Sequence, residues 1–213
     1  MAVQDTSPRN SLQAKKQEVV RGEIWNAAID LFFEHGFDNV HVDQIAAKAG
    51  VSRRTFFRYY GSKEDVMGAT VKRYGEALAQ AIRDQKAELS SLEAAKAAIK
   101  QVLAPTLHQT ERVVQVAERS PAARMAQFLQ VPLLEREVTW AFANRSKRAT
   151  KESSLEHRIL ASLTMTATGM CVEIWVRDQK RPMPEIVDEV FAAIVHLFRA
   201  EDEKAESARR AKR

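Results

Sequence analysis

The chain has 213 residues, 45% of them hydrophobic and 29% charged, so it can bury one large core or two smaller ones and is too apolar to be a disordered polymer. A formal net charge of +5 favours a polyanionic partner without naming it, and one cysteine, Cys171, excludes an intramolecular disulfide framework. The start Met1-Ala2-Val3-Gln4-Asp5 lacks the basic and apolar regions of a secretory signal, and no apolar run approaches the ~20 residues of a membrane span, so a cytoplasmic protein is expected.

Residues 1–16 are polar, include Pro8 and show no apolar periodicity, which predicts a mobile arm. Its Arg9, Lys15 and Lys16 are either solvated or touch the backbone or minor groove of bound DNA. A first helix is predicted from about Gln17 to His35, with Ile24, Ala27, Ala28, Leu31 and Phe32 on one stripe and Gly36 as its stop. Val42, Ile45, Ala46 and Ala49 form a second, shorter helical repeat that ends at Gly50, a residue free to take the left-handed conformation. Val51 then plugs a turn, and Ser52 can cap a third helix by accepting from an amide two or three residues on. In that helix Phe56 and Tyr60, four apart, pack inward and leave Arg53, Arg54, Thr55, Phe57, Arg58 and Tyr59 on the other faces. Two helices joined by such a turn make a helix-turn-helix. From Lys48 to Lys63 there are five positive residues and no acid, the charge a recognition helix needs to neutralise phosphates while reading base edges. A plain helical hairpin with a solvated basic face is the alternative.

Gly61 closes the third helix, and Ser62 with Asp65 resembles a capping box that opens a long fourth helix. Met67, Val71, Tyr74, Leu78 and Ala81 sustain its repeat to about Leu89, so no linker is expected between head and body. The body reads as all helix. Ser90 with Glu93 caps a helix bearing Leu92, Ala95, Ile99, Val102 and Leu103, and Pro105 disturbs its end. Shorter pieces follow at Glu111–Arg119, from Pro121 and from Pro132; Ser153 with Glu156 caps a longer helix to about Arg177, and a last helix starts at Pro184. Residues 200–213 carry charges of both signs and read as a frayed tail. The predicted organisation is an all-α fold with an arm at 1–16, a helix-turn-helix domain at 17–63, an all-helical ligand-binding and dimerisation domain at 64–199 and a charged tail at 200–213.

Ile24 through Ala28, Leu31-Phe32, Gly36-Phe37, Val42 to Ala46, Ala49-Gly50-Val51-Ser52, Thr55-Phe56, Tyr59-Tyr60 and Ser62-Lys63-Glu64 resemble the N-terminal signature of TetR-type transcriptional regulators. The resemblance covers about residues 20–66 and implies a bacterial, ligand-responsive repressor that binds a near-palindromic operator as a homodimer. It implies that Arg53, Arg54 and Thr55 approach base edges, that Tyr59 and Lys63 bind phosphates, and that Phe56 and Tyr60 pack inside. Arg58 shares the exposed face. Arginine can pair bidentately with guanine, so Arg53 or Arg54 is expected to read sequence. Phe57 departs from the common tyrosine, which favours contact with a thymine methyl over a phosphate hydrogen bond. His41 departs from the usual capping threonine, so the cap on the second helix is either weaker or supplied by the imidazole. A four-helix dimer interface built from the helix Leu155–Trp175 and the last helix is also implied.

In the body, Met125, Phe128, Trp140, Met165 and Met170 are candidates to line an apolar slot, with Phe142 and Trp175, and each of them is equally an ordinary core residue. Thr164, Thr166, Thr168, Cys171 and Glu173 place polar groups in an apolar helix, whose partners are either a ligand or the helix carbonyls four residues back. Arg124, Arg145 and Arg148 are candidate cations for an anionic ligand end, while Arg145, Lys147, Arg148 and Lys151 together also read as a solvated loop. Ser120-Pro121-Ala122-Ala123-Arg124, the stretch Glu137–Arg145 and Trp175 are similar to the bodies of actinobacterial TetR-type regulators that take acyl-CoA-like ligands. Catalysis is the rival class. The histidines His35, His41, His108, His157 and His196 form no metal-spaced pair, no Gly-rich loop follows a strand, and no serine stands in a nucleophile elbow, so neither an enzyme nor a cofactor is expected. A DNA-packaging protein without a ligand shares the head and remains the alternative within DNA binding.

Overall fold

The computed structural model describes the backbone of residues 8–145 and 151–211 and the side chains of residues 13, 15–145 and 154–197. The described residues are helical with no strand: α1 (Pro8–His35), α2 (Val42–Lys48), α3 (Arg53–Tyr59), α4 (Lys63–Asp84), α5 (Ser91–Leu103), a 3-10 turn (Ala104–Thr106), α6 (Leu107–Arg119), α7 (Pro121–Phe128), α8 (Val131–Arg145), α9 (Lys151–Arg177) and α10 (Met183–Ala211).

Local chemistry sets most of these boundaries. Gly36 and Gly50 take φ of +81° and +65°, the left-handed conformation that stops α1 and follows α2. The Ser90 side chain accepts from the Glu93 amide while Glu93 reaches back to the Ser90 amide at 2.9 Å, the full reciprocal cap expected at α5. Several boundaries differ from the sequence reading; α6, for one, opens at Leu107 instead of Glu111. α1 opens at Pro8, so residues 8–16 continue the helix instead of forming an arm. Proline suits the first helical turn, and polar residues such as Gln13, Lys15 and Lys16 are good helix formers that carry no apolar period to betray them. α4 stops at Asp84, short of Leu89. α9 begins at Lys151, which puts Ser153 inside it, not at its cap. α10 continues to Ala211, through most of the segment read as a frayed tail.

The chain divides into two compact units, Met1–Lys72 with Glu111–Val131 and Arg73–Thr110 with Pro132–Arg213. The first has its own core. Ile24, Ala28 and Phe32 of α1 meet Phe37, Val40, Ile45, Phe56 and Met67, and Val113 and Val116 of α6 with Ala123 and Ala126 of α7 complete it. Residues 111–131 therefore belong with the helix-turn-helix, a grouping that periodicity along the chain does not reveal. Asp30 on α1 pairs with Arg112 on α6 within this unit, and Arg112 also lies over the Phe33 ring at 5.2 Å.

In the second unit α9 packs on α10 and α5. Ala161, Thr164, Ala167, Thr168, Cys171 and Trp175 are its buried face. Thr164 Oγ1 donates to the Leu160 carbonyl at 2.6 Å and Thr168 Oγ1 to the Thr164 carbonyl at 2.9 Å, so the helix itself satisfies these hydroxyls. Tyr74 of α4 adds a hydrogen bond from its hydroxyl to Thr168 Oγ1 at 3.1 Å. Ser154–Arg177 is long and apolar enough, at mean hydropathy 1.5, to meet the criterion for a membrane span, which the sequence reading had denied. Its threonines, His157 and Arg158 interrupt every apolar run, yet the average passes; packing against α5 and α10 buries 28% of that stretch and leaves Leu155, Ile159 and Met170 exposed.

Candidate nucleic-acid interface

The interface is built on the first unit's core. Phe56 is fully buried and Tyr60 nearly so, which fixes the rotation of α3 about its axis and turns Arg53, Arg54, Phe57 and Arg58 to solvent. Tyr60 also donates its hydroxyl to the Arg21 carbonyl of α1 at 3.3 Å, tying the end of α3 to the helix beneath it. Ser52 caps α3 as its sequence position predicts, accepting from the Thr55 amide at 3.1 Å. The cap costs Thr55 some freedom, because its hydroxyl is 2.9 Å from Ser52 Oγ. At α2 no hydroxyl stands at the cap; the amide of the exposed His41 donates to Gln44 Oε1 at 2.7 Å, the return half of a capping box.

The five cations between Lys48 and Lys63 do not behave alike. Lys48 lies 3.8 Å from Asp30 and 3.7 Å from Glu34 on α1. Arg53 Nη1 donates to both carboxylate oxygens of Asp43 on α2, at 2.8 and 2.7 Å. The reading of an acid-free stretch holds along the chain and fails in space, because Asp43 precedes the stretch yet faces it across the turn. Lys63, expected on a phosphate, is turned inward. Its ammonium donates to the carbonyls of Phe37, Asp38 and Val40 at 2.8, 3.2 and 3.0 Å and lies 4.7 Å from the Phe37 ring centre. An ammonium has three N–H donors, and three carbonyls occupy them. The loop between α1 and α2 leaves those carbonyls without helix partners, so Lys63 acts as their bracket.

Arg54 and Arg58 are the cations left facing outward. Arg54 is exposed and makes no ion pair among the described residues. Arg58 stacks over the Tyr59 ring at 5.0 Å, and Arg21 of α1 lies 5.9 Å from the same ring. Phe57 is 45% exposed, edge-on to Phe56, and offers an apolar surface where a thymine methyl can pack. Gly61 leaves room for the next cap. Its amide donates to Asp65 Oδ2 at 3.0 Å, and a Cβ on it would stand 2.7 Å from that oxygen. The capping pair is thus offset by one: Ser62 accepts from the Asp65 amide, but Asp65 reaches Gly61 instead of Ser62.

The candidates for an apolar slot are mostly exposed side chains. Met125, Phe128, Trp140 and Met170 are 47–66% exposed, and Met165 is half-buried. Met125, Phe128 and the exposed Arg124 fall in the first unit, Trp140, Met165 and Met170 in the second. Arg145, expected to meet an anionic ligand, is instead a helix cap: its guanidinium donates to the carbonyls of Ile82, Gln85, Lys86 and Leu89 at 2.6–3.3 Å. Those carbonyls lose their helical partners where α4 ends, and a planar fork of donors serves several at once. Arg148 lies outside the described residues. Two surface grooves in the second unit, of about 390 Å³ between α5 and α10 and about 410 Å³ between α8 and α9, are lined by other residues, among them Leu92, Phe191, Leu155 and Ile159.

Residues 24–70 match the family described as bacterial regulatory proteins, tetR family. A protein of Mycobacterium tuberculosis named as a mycofactocin biosynthesis transcriptional regulator, MftR, is 26% identical over 88% of this chain and 95% of its own length. Among solved structures, a TetR-family transcriptional regulator from Syntrophomonas wolfei superposes with a TM-score of 0.60 at 18% identity, covering 84% of this chain and 95% of that one. The fatty acid degradation regulator FadR from Bacillus halodurans does so with a TM-score of 0.56 at 20% identity, covering 81% and 93%.

Proposed function

We propose that this chain, a TetR-family transcriptional regulator by its N-terminal DNA-binding domain, is a repressor that leaves a near-palindromic operator when a small effector binds its helical body. The observation that carries the DNA half is the orientation of α3: Phe56 and Tyr60 are locked inside, and Arg54, Phe57 and Arg58 stand together in solvent. Such a helix fits the major groove, where an arginine edge matches guanine and an aromatic ring meets a thymine methyl. The relatives are named as transcriptional regulators, which points away from an enzyme. The protein acts in the bacterial cytoplasm, where its operator is.

Dimerisation is assigned to α9 and α10. Leu155, Ile159 and Met170 on α9 and Leu197 on α10 are 47–61% exposed, and a twofold partner would remove that apolar surface from water. Two recognition helices would then address half-sites roughly 34 to 36 Å apart, or a multiple of that. For the effector we assign an acyl-CoA-like molecule. The reading draws on the body's sequence similarity and on the fatty acid degradation named for the B. halodurans protein; among the candidate cations it leaves Arg124 and Arg148 for the nucleotide end, since Arg145 is engaged.

Selection of bound fragments from random duplex DNA tests the first claim. A regulator should prefer its selected site over random duplex by ~10³ or more, whereas a packaging protein binds both nearly alike. Titrating long-chain acyl-CoA, free fatty acid and CoA against the operator complex tests the second. Acyl-CoA alone should lower operator affinity; no shift below its micelle concentration removes this ligand class.

A further inference from the structure

The strongest observation that the proposed function does not absorb is the acid in the DNA-reading surface. Asp43 sits in the first turn of α2 and Arg53 in the first turn of α3, with both side chains more than 60% exposed. An ion pair so exposed contributes little to folding, and a carboxylate next to a polyanion lowers affinity for every sequence. Stability and phosphate binding therefore both leave the pair unexplained.

Its geometry suggests orientation. The guanidinium is held from two sides: Nη1 donates to both oxygens of Asp43, and the carbon at its centre lies 5.4 Å from the centre of the Phe57 ring. Nη2 and Nε make no hydrogen bond among the described residues. Their N–H groups form a planar fork of the kind that matches the O6 and N7 acceptors of guanine. A free arginine must lose the freedom of several rotatable bonds to reach that pose; one already fixed by a carboxylate and a ring has lost most of it beforehand.

We infer that Asp43 is a specificity-determining residue, which positions Arg53 to read one guanine in each half-site and excludes the other bases there. The inference rests on the DNA-reading interpretation of α3. Asp43 itself is a positioning residue, acting through Arg53, and it confines to one base-pair position a side chain that would otherwise settle on any nearby phosphate.

The experiment selects bound fragments from random duplex with the full-length wild type, Asp43→Asn, Asp43→Ala, Arg53→Ala and the double variant Asp43→Asn with Arg53→Ala. Their thermal midpoints are compared first and should agree, the pair being exposed. The wild type should require guanine at one position per half-site, and both Asp43 variants should relax that position by about fivefold or more, the low end for a bidentate base contact. Their affinity for random duplex should be unchanged or higher. In the Arg53→Ala background, Asp43→Asn should change nothing further at that position. The proposal is overturned if both Asp43 variants keep the wild-type preference, if they relax a position that Arg53→Ala leaves intact, or if the effect of Asp43→Asn persists without Arg53. A wild type that selects no site removes the DNA-reading interpretation and this inference together, whereas a wild-type site that both Asp43 variants select equally well removes the inference alone.

Discussion

The Lys63 ammonium at the start of α4 donates to the carbonyl of Phe37 at 2.8 Å, 26 residues earlier in the chain, and so closes the loop between α1 and α2 from below. Two further carbonyls share the same donor. Lys63→Ala should therefore act on the fold of the head: leaving partly buried carbonyls without a donor costs about 1–3 kcal/mol. The thermal midpoint of Lys63→Ala should fall. An unchanged midpoint with DNA affinity reduced equally on all sequences would return Lys63 to the phosphate role.

Arg145 does at the other end of α4 what Lys63 does at its start. Arg145→Ala should lower the urea midpoint, with a cost of about 2 kcal/mol or more because charged hydrogen bonds are lost at several carbonyls. Arg145→Lys should recover only part, since a single ammonium cannot span the set that the guanidinium fork spans. Equal midpoints for all three proteins would show that the cap contributes nothing.

Arg54 faces outward and makes no ion pair among the described residues, so Arg54→Ala should cost about 1–3 kcal/mol on the selected operator and relax a base preference. Fluorescence anisotropy across single-base variants of the operator reads this directly. A uniform loss on specific and random duplex would make Arg54 a phosphate contact.

Burial pushes the Cys171 thiol up to about 11, and burial likewise raises the Tyr74 hydroxyl, which donates to Thr168. A group whose folded pKa is raised contributes stability that is whole below its unfolded pKa and declines as pH rises toward the folded value. The urea midpoint should thus be flat near neutral pH with respect to these groups, begin to fall above about pH 8.5 as the unfolded thiol ionises, and fall further above about pH 10 as the unfolded phenol does. Cys171→Ala should flatten part of that fall. The native thiol should also resist alkylation at pH 7 and react only in denaturant.

Gly75 of α4 has a different constraint: a Cβ there would stand 2.3 Å from Leu134 Cδ1 of α8. Gly75→Ala should destabilise the second unit by about 1–3 kcal/mol through overpacking, and the same substitution should cost less in a Leu134→Ala background, where the clashing methyl is gone. A Gly75→Ala midpoint equal to the wild type would show that Leu134 moves aside freely.

Much of this protein is fixed by short-range chemistry and is therefore legible in the sequence. Gly50 with its left-handed φ, Ser52 on the Thr55 amide, Ser90 with Glu93, and the inward Phe56 and Tyr60 depend on residues no more than four apart, where chain geometry leaves few choices. Tertiary structure decided which charges are available. Lys48, Arg53, Lys63 and Arg145 look alike as solvated or ligand-seeking cations when read along the chain, yet each has acceptors from 10 to 63 residues away or on another helix. The same holds for Val113, Val116, Ala123 and Ala126, which complete the core under the helix-turn-helix although they lie far from it in the chain. An apolar stripe specifies that a face is covered. Which helix covers it, and which orphaned carbonyl captures a cation, depends on where distant backbone ends arrive in space, and no local pattern encodes that.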